Sequence, residues 1–163
     1  LGDVYKRQVY EYNGPAAVRY PRGQGPGEEI DRDLETVKIG KANLLKKGSS
    51  KLIMLNFGSL LNHAKEIAKK YDMTLIDMRF IKPFDEEILK KHSCAKWFIT
   101  IEDGSLIGGI GSTIANWVTK QNLKIQVKCF GIPDKFIEHM SREQMIKEAK
   151  LDYESITLSL IHI

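Results

Sequence analysis

The stretch K-L-I-M-L-N-F-G-S, at residues 51–59, predicts how this chain folds. Its first seven residues form a nearly continuous apolar run, which is typical of a strand in a parallel sheet with both faces covered. Gly58 and Ser59 then open a predicted helix at residues 60–70, in which apolar residues recur at the spacing of one buried face. A buried strand followed directly by an amphipathic helix indicates an α/β layer.

The same alternation of strand and helix continues along the chain on both sides of this stretch. Further strands are predicted at 38–45, 73–78, 97–102 and 125–130, and further helices after Asp85, at 111–120 and after a capping box at 141–144. Helices of about ten residues between strands are the crossovers that parallel neighbours require. The pattern therefore predicts an α/β fold with a largely parallel sheet.

The composition excludes several classes of protein. The 163 residues carry 25 Lys or Arg against 21 Asp or Glu, and the lysines are spread along the chain, so nucleic-acid binding is not expected. No apolar run approaches the roughly 20 residues of a membrane-spanning helix, so no membrane contact is expected either. Cys94 and Cys129 have no C-x-x-C spacing, which favours a reduced, cytoplasmic setting.

The glycine cluster G-G-I-G-S at 108–112 follows a predicted strand and opens a helix, where backbone N–H groups can hold a phosphate. It does not match a dinucleotide-binding motif, because Ile114 stands at the third glycine position and no acid ends the following strand. We therefore favour a packing role for these glycines, in which they let the helix approach the sheet closely, over a cofactor role.

Charged groups at two predicted strand ends are further candidates. Asp77, Arg79 and Asp85 lie where ligands bind in parallel sheets, but capping and mutual pairing are the favoured interpretation. Glu102 and Asp103 are adjacent on an extended chain and point to opposite sides, so they make a poor general acid–base pair. His63, His92, His139 and His162 lack the partner spacing of a metal site or a nucleophilic triad.

The stretch A-V-R-Y-P-R-G-Q-G-P-G, at 17–27, predicts the end of a strand at 15–20 and a glycine-rich linker. Arg19 and Arg22 are three residues apart on an extended backbone, so they point to opposite faces. Pro21 fixes the backbone before Arg22, and its guanidinium suits a phosphate or a carboxylate. A surface salt bridge explains the spacing equally well.

Several stretches carry a resemblance to a known family: G-P-A-A-V-R-Y-P-R-G, L-I-M-L-N-F-G-S, D-M-R-F-I-K-P-F-D, I-E-D-G-S-L-I-G-G-I-G-S and G-I-P-D-K-F-I-E-H. These stretches follow one another in the same order as in the 1-deoxy-D-xylulose-5-phosphate synthase family, and from about residue 9 to 156 the chain resembles the C-terminal part of that family. The D-M-R-F stretch is shared loosely among transketolase-like enzymes. R-Y-P-R-G and G-I-P-D-K-F-I are much more specific to the synthase.

The resemblance implies a homodimeric enzyme that uses thiamine diphosphate and Mg²⁺ to condense pyruvate, with loss of carbon dioxide, onto glyceraldehyde 3-phosphate. The product feeds isoprenoid, thiamine and pyridoxal synthesis. The implied fold is a three-layer α/β/α transketolase C-terminal-like domain, whose five-stranded, mostly parallel sheet has one antiparallel edge strand. Arg22 matches the family's arginine that holds the substrate phosphate; Arg19 is given no ligand.

The resemblance also implies a division of the chain. Residues 1–8 show neither strand alternation nor helix period and are expected to be extraneous or disordered. The following segments are expected to be the end of the pyrimidine-binding domain at 9–25, a linker at 26–37, the transketolase C-terminal-like domain at 38–156 and a tail at 157–163. Met140 stands where the family usually has glycine. The family's catalytic, cofactor and metal-binding residues lie upstream, so none is expected here and the isolated chain is expected to be inert.

Two alternatives remain open. One is the corresponding C-terminal domain of a transketolase or of a 2-oxoacid dehydrogenase β subunit. The other is a non-catalytic module that dimerises or docks onto a thiamine enzyme.

Overall fold

The computed structural model describes residues 2–18, 36–161 and 163, which divide into one unit up to Ile39 and a second from Gly40 to Ile163. The first unit contains α1 (Gly2–Glu11), a helix that the sequence pattern of residues 1–8 did not indicate. An ion pair of 2.7 Å joins Arg7 Nε and Glu11 Oε1, which are exposed and one helical turn apart. Residues 15–18 form no strand, contrary to prediction; the rest of that stretch and most of the linker lie outside the described residues.

The second unit contains the predicted alternation of strands and helices. Its elements are β1 (Asn43–Lys46), β2 (Leu52–Phe57), α2 (Leu61–Lys70), β3 (Thr74–Asp77), α3 (Glu86–Lys91), β4 (Trp97–Ser105), α4 (Ile110–Lys120), β5 (Gln126–Ile132), α5 (Arg142–Glu148) and α6 (Tyr153–Leu160). The first strand is shorter than predicted, and the fourth continues beyond residue 102. The capping box that opens α5 is confirmed, because Ser141 and Gln144 bond each other's backbone N–H groups.

The strands form one five-stranded sheet in the order β1-β3-β2-β4-β5. Neighbours are parallel except at one edge, where β1 runs antiparallel to β3. The fold predicted from the resemblance, including the antiparallel edge strand, is confirmed. Between β2 and β4 the order reverses, because the chain leaves β2 for β3 on one side and returns to β4 on the other.

Helices cover both faces of this sheet. On one face, Met54 of β2 packs with buried residues of α2 and α6. On the other, Ile53 and Leu55 pack with buried residues of α3 and α4. Successive residues of β2 thus enter opposite cores, which explains why the central strand is a continuous apolar run.

The helix α6 corrects the predicted tail at 157–163. Asp152 caps its N-terminus by accepting the N–H groups of Glu154 and Ser155. Leu160, which is 5% exposed, packs with α2 against the sheet. The sequence pattern missed this helix because it is short and its apolar residues follow no clear period.

The buried position of Leu160 gives a test of this correction. We expect Leu160→Ala to lower the free energy of unfolding by about 2 kcal/mol or more, because it leaves a cavity between α6 and α2. Leu158 lies on the same helix but is 65% exposed, so Leu158→Ala is the matched control and should change stability by less than about 0.5 kcal/mol. Urea unfolding followed by circular dichroism measures both. Equal stability of the two variants would contradict the packing of α6.

Candidate functional site

The N-terminus of α4 is the position at which the glycine cluster could hold a phosphate. There the carboxylate of Glu102 accepts hydrogen bonds from the backbone N–H groups of Ile110, at 3.1 Å, and Gly111, at 2.9 Å. Glu102 is only 6% exposed. A buried anion of the protein itself therefore occupies the place that a diphosphate would take, and it satisfies N–H groups that α4 leaves unpaired.

The glycines around this carboxylate are required by close packing. A Cβ atom on Gly109 would lie 2.1 Å from the carbonyl oxygen of Ser105 and 2.6 Å from the carboxylate of Glu102. A Cβ atom on Gly111 would lie 2.7 Å from Oγ1 of Thr100 and 2.9 Å from Sγ of Cys129. The packing role predicted for the cluster is confirmed, because any larger residue would push α4 away from β4 and β5.

The crevice beyond the carboxyl ends of β2 and β4 is where open α/β sheets bind ligands. In this domain Asp103, at the end of β4, accepts hydrogen bonds from the hydroxyl of Ser59 and from the guanidinium of Arg142 at 2.8 Å. Arg142 also donates to the hydroxyl of Ser59. Three side chains from β4, α5 and the start of the β2–α2 connection thus bridge the crevice. As predicted, Glu102 and Asp103 point to different surroundings and form no acid–base pair.

The charged groups at the end of β3 and in the loop that follows it have mainly structural roles. Asp85 caps α3 by accepting the N–H of Ile88, and it also accepts the N–H of Ala42. Nε of Arg79 lies 3.8 Å from the carboxylate of Asp77. The interpretation of these residues as caps and mutual partners is confirmed. Arg79 adopts a φ of 56°, a strained backbone that places its side chain back toward Asp77.

The histidines and cysteines that the structure describes do not come together into a site. His92 contacts the carbonyl oxygen of Ile88 through Nδ1 at 2.8 Å, His63 lies on α2, and His139 is an exposed loop residue. His162 lies outside the described residues. Within the described ranges, no three His, Cys, Asp or Glu side chains are arranged to hold a metal ion. None of the helices described is long and apolar enough to span a bilayer.

A family model described as "Transketolase, C-terminal domain" matches residues 40–156. The chain belongs to the transketolase C-terminal domain family. Proteins named 1-deoxy-D-xylulose-5-phosphate synthase are similar to nearly all of it. The one from Marinomonas sp. (strain MWYL1) is 43% identical over 94% of this chain and 25% of that protein. The one from Francisella tularensis subsp. novicida (strain U112) is 46% identical over 93% of this chain and 25% of that protein.

A third relative, the synthase of Hahella chejuensis (strain KCTC 2396), is 44% identical over 90% of this chain and 23% of that protein. The chain therefore spans about a quarter of the length of these relatives, and the predicted resemblance to the C-terminal part of the synthase is confirmed. Among solved structures, the "Split gene transketolase, inactive beta4 tetramer" has a TM-score of 0.72 and 23% identity, covering 83% of this chain and 46% of that one. It shows the same fold.

The N-terminus of α4 and the adjoining crevice do not fit the diphosphate of a thiamine cofactor. The backbone N–H groups that resemble a phosphate cradle bind Glu102, and the carboxylate of Asp103 is already bound by Arg142 and Ser59. A diphosphate at the N-terminus of α4 would have to displace a buried carboxylate of the same charge.

Arg19, Arg22 and Met140 are the remaining residues that the sequence analysis considered. Arg22, the predicted phosphate ligand, and Arg19 both lie outside the described residues, so Arg22 stays a prediction. Met140 stands where the family usually has glycine, but it is not among the described residues with a positive φ. The substitution therefore imposes no left-handed strain on the loop before α5.

Sequence reasoning missed two residues of this region. Arg142 bridges to Asp103, although the stretch S-R-E-Q indicated only a helix cap. Phe136, in the stretch G-I-P-D-K-F-I, is fully exposed in the structure. The signal for Phe136 was present, because that stretch is one of the two most specific to the synthase family.

Glu102 gives a test of the site as described. We expect Glu102→Ala to lower the free energy of unfolding by about 2 kcal/mol, because it leaves two buried N–H groups without an acceptor. Glu102→Gln keeps the side-chain volume and one acceptor oxygen, but its amide NH2 group faces the other N–H group. It should cost about 1 kcal/mol, for one unpaired donor and for the lost charge at the helix N-terminus. Urea unfolding of both variants measures the difference. An alanine variant as stable as the unsubstituted chain would contradict the capping role.

Proposed function

We propose that this chain is the C-terminal part of a thiamine-diphosphate-dependent synthase that condenses pyruvate with glyceraldehyde 3-phosphate to 1-deoxy-D-xylulose 5-phosphate. The observation that carries the proposal is the identity of 43–46% to proteins named for this activity, over at least 90% of the chain. The stretch R-Y-P-R-G at 19–23 favours a synthase over a transketolase or a 2-oxoacid dehydrogenase β subunit, which share the fold.

In this proposal the domain from Gly40 onward is a scaffold, and the upstream part of the enzyme binds thiamine diphosphate and Mg²⁺. The arrangement of Glu102 supports this division, because the phosphate-like cradle of the domain is filled by the protein itself. The isolated chain is then inert. We further propose a homodimer in the cytoplasm; the unpaired thiols of Cys94 and Cys129 are typical of a reducing compartment.

The proposed role of this chain in substrate binding belongs to Arg22. A guanidinium next to Pro21 can meet the phosphate of the aldehyde with two parallel hydrogen bonds. It would lower the KM for glyceraldehyde 3-phosphate without taking part in bond making. The cofactor supplies the carbanion chemistry, and no residue from Gly40 onward is assigned a catalytic part.

The role of Arg22 can be tested in a chimera in which this chain replaces the matching quarter of the Francisella synthase. We expect Arg22→Met to lower kcat/KM for glyceraldehyde 3-phosphate by about 30-fold, which corresponds to about 2 kcal/mol for a lost charged hydrogen bond. Turnover of unphosphorylated glyceraldehyde should not change. Arg19→Met is the matched control and should have little effect. Equal losses with both aldehydes would contradict a phosphate-binding role.

The expected inertness of the isolated chain has a direct assay. The chain is incubated with thiamine diphosphate, Mg²⁺, pyruvate and glyceraldehyde 3-phosphate, and the unsubstituted chimera serves as the positive control. We expect product from the chimera alone. Product from the isolated chain would overturn the division of labour, and an inactive but folded chimera would count against the synthase assignment.

A further inference from the structure

Phe136 is exposed to a degree that its own domain does not explain. Its side chain is completely accessible, in a loop between β5 and α5 where Lys135 N–H bonds the carbonyl oxygen of Pro133 at 2.8 Å. Ile107, in the loop after β4, is 68% exposed, and the neighbouring Leu106 N–H bonds the carbonyl oxygen of Ile132. The hydrogen bond between Leu106 and Ile132 therefore joins the two loops from which these large apolar side chains project.

An apolar groove of about 340 Å³ adjoins Phe136 at the carboxyl edge of the sheet. We call it the carboxyl-edge groove; its apolar lining includes Ile132, Ile137, Met145 and Ile146. These residues are partly exposed, although Ile132, Ile137 and Ile146 also pack against the core that the sheet forms with α2 and α6. A groove of this size and character can receive one or two apolar side chains of a partner.

Charged pairs border the groove. Arg142 and Asp103 form one ion pair of 2.8 Å, and Lys135 and Glu148 form another of 2.5 Å. The hydrogen bond from Lys135 lowers the pKa of the Glu148 carboxyl. An apolar centre with a polar rim is the arrangement of protein–protein interfaces, and a partner that docks here would cover Arg142, Asp103 and Lys135 as charges that are already paired.

We propose that the carboxyl-edge groove and Phe136 dock the upstream part of the same polypeptide, through an apolar segment that packs against Phe136. This inference rests on the proposed function. The length outside this chain supports the occupant, since about three quarters of each relative has no counterpart here and has to be held to this domain.

The chimera with the Francisella synthase provides the test, together with the isolated chain. Phe136→Ser should leave the thermal unfolding of the isolated chain unchanged, because the side chain is fully exposed in the part of the chain that the structure describes. In the chimera, we expect it to accelerate amide hydrogen exchange at 132–146 by about tenfold or more, as the loss of an interface anchor would. Phe136→Leu should restore most of the protection. Leu158→Ser, at another exposed apolar position, is the matched control.

Two outcomes would overturn the proposal. One is a Phe136→Ser chimera that exchanges at the rate of the unsubstituted chimera. The other is an isolated chain that sediments as a dimer and that Phe136→Ser dissociates, which would assign the groove to a second copy. Activity of the unsubstituted chimera separates the two hypotheses: an active chimera with unchanged exchange keeps the proposed function and removes the docking site.

Discussion

The second unit depends on one buried carboxylate. Glu102 ends the apolar part of β4 and accepts the first free N–H groups of α4, so it joins the central sheet to the helix that covers one face. Gly109 leaves the space for this carboxylate, and Gly111 lets α4 rest against Thr100 and Cys129. Without this acceptor, the helix would begin with buried and unpaired N–H groups, which is a costly arrangement in an apolar interior.

The residue after Glu102 determines what the sheet edge can do. Asp103 points away from α4 and is bound by Arg142 and Ser59, across the place where open α/β sheets commonly bind ligands. The protein's own charged groups therefore occupy both positions at which a small anionic molecule would be sought. This arrangement supports the proposal that the chemistry belongs to a part of the enzyme upstream of this domain.

A domain of this kind contributes through its surface. The carboxyl edge of the sheet carries a fully exposed phenylalanine and an apolar groove bordered by paired charges. Closing the crevice and presenting the groove use the same residues, since Arg142 and Asp103 line both. The sequence identity to the named relatives supports the proposed chemistry of the whole enzyme, whereas the geometry of this edge supports the proposed docking of this domain onto it.

The sequence by itself determined the alternation of strands and helices, the cap at Asp85, the capping box at Ser141 and the packing role of the glycines, because each follows from local periodicity or backbone geometry. Family motifs added the antiparallel edge strand. The helices α1 and α6 escaped prediction, since residues 1–8 show no helix period and α6 is supported by packing against α2. Only the tertiary structure decided that Glu102 fills the phosphate-like cradle, that Arg142 reaches Asp103 and that Phe136 is left exposed, because these contacts join residues whose distance along the chain carries no periodic signal.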